Sequence, residues 1–182
     1  MNVFHTPIDW QPSLSGPLLQ LRPLGPQDFE ALYAAGSDPL IWEQHPERDR
    51  YQRQQFERYF QSGLESKGAL IAVDTVTGEV IGCSRFTNFV QAQSEIEIGY
   101  TFLIRRCWAK GYNREFKDLM LNYAFQFVDN VVFVVGEHNL RSRKAVEKLG
   151  ATYVKRKLRA PKPCDEFSVV YQLSKSSQTC CY

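Results

Sequence analysis

Apolar and polar residues recur along this chain with two different periods, and the changes of period mark its elements. Residues 95–102, Glu-Ile-Glu-Ile-Gly-Tyr-Thr-Phe, alternate strictly. This predicts a half-buried strand with Ile96, Ile98, Tyr100 and Phe102 on one face and Glu95, Glu97, Gly99 and Thr101 on the other. Phe116, Leu119, Met120, Tyr123, Ala124, Phe127 and Val128 then repeat at helical spacing, the pattern of a helix laid on a sheet. Asp129-Asn130 interrupts it, and the β-branched run 131–135 predicts a short buried strand. A second helix is expected over 140–149, capped by Asn139 and closed by Gly150.

The first half reads more simply. Residues 18–24 form a strand ended by Pro23 and Pro26, 28–35 a short helix, and 38–46 a loop carrying Trp42 and His45. Residues 50–66 form a polar helix with Tyr51, Phe56, Tyr59, Phe60 and Leu64 roughly on one side. Strands at 69–74 and 79–86 flank a turn at 75–78, and closing strands are expected at 151–158 and 166–173. The order predicts a mixed α/β (α+β-like) fold, antiparallel at first, with a later βαβ crossover.

Composition narrows the classes. A length of 182 residues predicts a single domain, 1–182, with a loosely ordered tail at about 175–182. No apolar run approaches the ~18 residues of a membrane span. The first 21 residues lack a basic region followed by an apolar core, so no secretory leader is expected. A net charge of only +2 speaks against a general nucleic-acid binder. The cysteines, Cys83, Cys107, Cys164, Cys180 and Cys181, are odd in number and form no CxxC pair. Neither a disulfide framework nor a metal site is expected, and reduced thiols fit a cytoplasmic protein.

The candidate chemistry starts at Trp108-Ala109-Lys110-Gly111-Tyr112-Asn113, between the alternating strand and the amphipathic helix. Backbone N–H groups in such a loop, at a helix N-terminus, make a cradle for a phosphate or pyrophosphate. There is no GxxxxGK[ST] and no G-x-G-x-x-G, so neither a P-loop nor a dinucleotide fingerprint is present. A plain strand–helix connection is the alternative. Asn139-Leu140-Arg141-Ser142 and Glu147-Lys148-Leu149-Gly150 follow the next buried strand.

With both motifs in place the chain resembles the GNAT acyltransferase superfamily, and more narrowly its RimJ/RimL-like branch. The family's pyrophosphate loop has the form (Arg/Gln)-x-x-Gly-x-(Gly/Ala), and Gly111 matches its central glycine. Asn139 and Ser142 match its Asn-x-x-Ser, and 147–150 its Glu-Lys-Leu-Gly. The resemblance covers nearly the whole chain. It implies a mostly antiparallel twisted sheet of six or seven strands with about four helices, in which a splayed strand pair binds the cofactor. It also implies acetyl-CoA as co-substrate, held by the amides of Trp108, Ala109, Lys110, Gly111, Tyr112 and Asn113. Leu103 and Ile104 would pair with the pantetheine arm, Asn139 would bond it, and Arg143 and Lys144 would meet the 3′-phosphate. For those two cations a solvated helix face is the alternative. Three positions depart from the family: Trp108 replaces Arg or Gln, Asn113 replaces Gly or Ala, and Val146 stands where many members carry a Tyr acid. Arg105 or Arg106 could supply the donor missing at Trp108.

Acetyl transfer to an amine needs its neutral form, and an amine of pKa ~10.4 needs a base. Glu95 and Glu97 lie about 7 Å apart on one strand face. Glu97 is nearer the expected cleft and is the candidate base; two solvated carboxylates are the alternative. Ser142 is a candidate proton donor to the thiolate, with solvent as the other. Glu115 complements the helix dipole, His45 reads as a surface-loop histidine, and Lys155, Arg156, Lys157, Arg159 and Lys162 as a solvated basic run. The expected activity is N-acetylation of a small-molecule amine or a protein N-terminus, with no nucleic acid or membrane partner, and the resemblance allows a homodimer. A catalytically silent coenzyme A-binding regulatory or sensor module is the alternative.

Overall fold

The alternating and buried runs assemble into one eight-stranded sheet, seen in a computed structural model that describes residues 8–158 and 167–178. Its strands are Leu14–Ser15 (β1), Leu19–Pro23 (β2), Ala69–Asp74 (β3), Val80–Val90 (β4), Glu95–Leu103 (β5), Asn130–Gly136 (β6), Thr152–Leu158 (β7) and Phe167–Ser174 (β8). The order is β1-β2-β3-β4-β5-β6-β8-β7. Every neighbouring pair is antiparallel except β5 and β6, joined by a crossover. Helices are Phe29–Gly36 (α1), Pro39–Trp42 (α2), Arg53–Ser66 (α3), Tyr112–Ala124 (α4), Leu140–Glu147 (α5) and Lys175–Gln178 (α6). Two counts exceed expectation because short elements escape a periodicity reading. The two-residue β1 is too brief to alternate, and α2 is one turn, started by Pro39 and capped by Asp38, which accepts from Leu40 N–H at 3.0 Å. Of the expected tail, 175–178 forms a helical turn and 179–182 lies outside the described residues. Arg159, Lys162 and Cys164 also lie outside them.

The sheet separates two cores. On one face α4 and α5 bury Phe116, Met120, Leu121 and Val146 against Ile96, Ile98, Leu103, Val131 and Phe133. On the other, α1, α2 and α3 bury Leu32, Trp42, Phe56 and Tyr59 against Ile71, Cys83 and Phe102. Among the described residues no helix is long and apolar enough to cross a membrane.

β5 corrects the expected alternation. Cys83 pairs with Phe102 and Arg85 with Gly99, so β5 spends one residue more than β4 between these pairs. This is a bulge, and Tyr100 within it takes a left-handed φ of 55°. The bulge switches faces. Ile96, Ile98 and Leu103 enter the α4 core, whereas Phe102 enters the opposite one. Tyr100, expected in the buried row, is 47% exposed. Its carbonyl accepts the Tyr59 hydroxyl at 2.8 Å, which holds the bulge to α3.

Glu115 does more than face a helix dipole. Its Oε1 accepts the backbone N–H of Leu18 at 2.8 Å and of Leu19 at 3.0 Å, tying the entry of β2 to the first turn of α4. Glu115→Ala leaves two partly buried donors unmet, so urea denaturation is expected to show a loss of about 1–3 kcal/mol.

Candidate active site

β5 and β6 pair for only three residues, Glu95–Asn130, Ile96–Val131 and Glu97–Val132. Beyond these, β5 continues to Leu103 and β6 to Gly136 with no pairing between them among the described residues. The sheet therefore opens at its centre, with backbone groups on the open edges. Three sets of residues surround the opening.

The first is the loop before α4. A 3-10 turn at Arg105–Cys107 leads into Trp108, then Ala109 (φ 58°) and Gly111 (φ 87°) both turn left-handed. These angles suit the glycine and wind the chain into the helix, whose first bond runs from Glu115 N–H to the Gly111 carbonyl. Among the described residues, none of the six N–H groups of 109–114 has an intramolecular acceptor. Six consecutive free donors at a helix start, where the dipole is positive, form an anion cradle. Trp108 is committed to the fold. Its indole N–H donates to the Leu103 carbonyl at 2.9 Å, and the Arg141 guanidinium stacks on its ring at 4.1 Å. Arg141, from α5, also donates to the Ile41 carbonyl and to Glu43; sequence reading gave it no role. Arg105 and Arg106 do not replace a loop donor. Arg105 pairs with Asp38, and Arg106 with Asp74 and Glu79.

The second set lies at the start of α5. Asn139, buried, caps the helix by accepting Ser142 N–H at 3.1 Å; its side-chain NH₂ has no acceptor among the described residues. Ser142 is half-buried beside it. Arg143 turns inward, donating to the Tyr171 hydroxyl at 3.0 Å and the Glu137 carbonyl at 3.1 Å, so it is a strut and not a free cation. Lys144 is exposed. Both backbone groups of Ile104 are engaged, its N–H with Ile81 and its carbonyl with Cys107. That takes Ile104 out of an added-strand edge, whereas Leu103, among the described residues, has only its carbonyl engaged, by the Trp108 indole. Val146, 6% exposed, is core.

The third set is on the opposite face of the sheet. Glu97, 8% exposed, accepts from the Asn88 amide at 2.8 Å. Gly99 makes room for it: a Cβ there would lie 3.0 Å from Glu97 Oε1. Burial pushes the Glu97 pKa up, and Asn88 and Lys157 only partly oppose this. On the same face a cavity of about 230 Å³ is lined by Glu47, Arg50, Gln55, Arg58, Tyr59, Ser62 and Tyr100. His45 is half-buried, its ring edge-on to Trp42 at 5.6 Å, where a surface histidine was expected.

One residue at the opening escaped the sequence reading. Lys117, on the inner face of α4, is 5% exposed. Its ammonium donates to Thr101 Oγ1 at 2.5 Å and Ser84 Oγ at 3.3 Å, and lies 5.8 Å from the Phe133 ring. It thus bonds β4 and β5 and faces β6 through the Phe133 ring, where the β5–β6 pairing has ended. The readable signal was its place among Phe116, Met120, Leu121 and Ala124, inside the apolar stripe and not at its border.

The model of the acetyltransferase (GNAT) domain matches residues 19–152. The chain belongs to the GNAT acetyltransferase family. Its GNAT fold is shared with a GCN5-related N-acetyltransferase from Brucella melitensis (TM-score 0.80, 19% identity, covering 93% of this chain and 81% of that one). A spermidine N-acetyltransferase from Vibrio cholerae, solved with CoA and spermine, has TM-score 0.68 at 14% identity, covering 88% and 98%. A ribosomal-protein-S5-alanine acetyltransferase from Vibrio fischeri has TM-score 0.68 at 14% identity, covering 90% and 96%. No curated protein sequence matches this GNAT chain.

Proposed function

We propose that this protein is a single-domain N-acetyltransferase of the RimJ/RimL-like branch that moves the acetyl group of acetyl-CoA onto a primary amine of a small molecule or a protein N-terminus. The observation that carries the reading is the row of six N–H groups at 109–114, without acceptors among the described residues, beside the opening between β5 and β6. The donor row fits a pyrophosphate, and the opening leads from it to Glu97. The Asn139 amide faces the pantetheine path, and exposed Lys144, not Arg143, is the cation available to the 3′-phosphate. Solved members of the fold act on spermidine and on a ribosomal protein, by their names, so both acceptor kinds belong to the proposal.

In the reaction the acceptor amine attacks the thioester carbonyl from the Glu97 face of the sheet. Glu97 takes its proton, directly or through water. Backbone N–H groups of β5 beyond its pairing with β6 steady the oxyanion. Titration calorimetry with acetyl-CoA, followed by a thiol-release assay across a panel of amines, tests this. Binding with acceptor-dependent thiol release is expected; absence of binding at millimolar acetyl-CoA overturns it. The buried Val146, where an acid is usual in the family, favours a second reading as a silent coenzyme A sensor. Binding with no thiol release on any amine selects that one.

A further inference from the structure

Val146 carries no acidic proton and the Ser142 hydroxyl is a weaker acid than a thiol, so α5 offers the leaving sulfur no matched proton donor. We infer that Lys117 is a catalytic acid that gives its proton to the coenzyme A thiolate; this rests on the acetyltransferase reading above.

Three features place it there. The phosphate cradle at 109–114 begins α4, so the coenzyme arm arrives on the α4 face. Thr101, the Lys117 partner, follows the Tyr100 bulge directly and lies on that same face. Glu97 lies on the other face, with Gly99 and Phe102. Base and acid thus stand on opposite sides of the opening. An acceptor entering on the Glu97 side expels sulfur toward Lys117.

The environment of Lys117 suits the task. None of the ion pairs among the described residues includes it. A buried ammonium with only hydroxyl partners is costly to keep charged. From β4 it faces the Ser84 hydroxyl, from β5 Thr101, from β6 the Phe133 ring, and on α4 the Phe116 ring, while the Cys83 thiol acts on it from the opposite core. Cys83 is the titratable neighbour; burial holds its thiol up at about 11, so it stays neutral. Burial lowers the Lys117 pKa to about 7. A donor titrating near the working pH, below the ~8.5 of a thiol, passes its proton downhill to the thiolate.

The step balances. The new N–C bond forms at the carbonyl carbon, and the C–S bond breaks with its electron pair on sulfur. Glu97 receives the amine proton, Lys117 gives one to sulfur, and solvent returns a proton from Glu97 to Lys117. No oxidant or reductant is involved.

Lys117→Met keeps the unbranched shape and removes the buried charge, so the fold is retained. The variant is expected to bind acetyl-CoA like the wild type in calorimetry and to lose about 10²-fold in kcat, the low end for a lost general acid. The wild-type kcat is expected to fall as pH rises through the Lys117 titration, and this alkaline limb to vanish in the variant. Wild-type kcat in Lys117→Met, or an unchanged alkaline limb, overturns the role. So does an acetyl group found on Lys117 by peptide mass spectrometry after incubation with acetyl-CoA alone and transferred onto added amine, since Lys117 would then be the nucleophile. Failure of the wild type to bind acetyl-CoA or to release thiol removes the acetyltransferase reading itself, and is told apart by arising without any substitution.

Discussion

Glu97→Gln is expected to lower kcat by about 10²–10⁴-fold, the span of a lost general base, with acetyl-CoA affinity unchanged. Glutamine keeps the shape and the bond to Asn88, through its carbonyl oxygen, but cannot take a proton. The pH profile adds a second readout. The base works ionised, and burial raises the Glu97 pKa, so activity falls as pH drops through a value above the usual carboxylate range. That acid limb should disappear in the variant. Stability moves the other way. A carboxyl whose folded pKa is raised favours the fold below its unfolded pKa and loses that contribution as pH rises through the folded value. At neutral pH ionised Glu97 therefore weakens the fold, and Glu97→Gln should unfold no earlier than the wild type. A large loss of activity with undiminished thermal stability separates a base from a packing residue. Unchanged turnover removes Glu97 from the reaction.

Much of the candidate site's placement in the fold was legible because its residues sit at fixed offsets within single elements. The loop before α4 and the Asn139–Ser142 cap are local, and each was placed correctly on its element. What stayed hidden depended on contacts between distant segments. Strict alternation over 95–102 carries no mark of an inserted residue, since the bulge at Tyr100 is set by its pairing with β4 and by Tyr59 from α3. Arg143 looked like a free cation until the fold brought Tyr171 to it. Arg105 and Arg106 stand beside the loop in sequence but are drawn off by Asp38, Asp74 and Glu79. Lys117 was hidden for the same reason. Its position inside the stripe is local and readable, but what its ammonium would meet there depends on Thr101, Ser84 and Phe133 from the facing strands.

The largest stability effect is expected at Trp42→Ala, a loss of about 3–5 kcal/mol in urea unfolding. Trp42 is 2% exposed and meets Phe102 at 5.2 Å and Tyr59 at 6.1 Å between ring centroids. Its indole N–H donates to the Gly36 carbonyl at 2.7 Å, closing the end of α1, and Arg50 stacks on its ring at 5.1 Å. Truncation removes the apolar contacts, leaves a cavity and unpairs a buried carbonyl, and these costs add. Trp42→Phe retains most of the ring volume and loses mainly the indole bond, so it should cost about 1–2 kcal/mol. The consequence for chemistry follows from Phe102. That residue lies two positions beyond the bulge and anchors the diverging end of β5 in the α1–α3 core. Loosening its packing frees β5 to shift toward β6 and narrow the opening. Acetyl-CoA affinity of Trp42→Ala, measured well below its unfolding midpoint, should therefore fall, while Trp42→Phe binds as the wild type does. A loss of less than about 0.5 kcal/mol, an ordinary surface effect, would remove Trp42 from the core, and unchanged acetyl-CoA affinity in Trp42→Ala would show that this core does not set the divergence of the two strands.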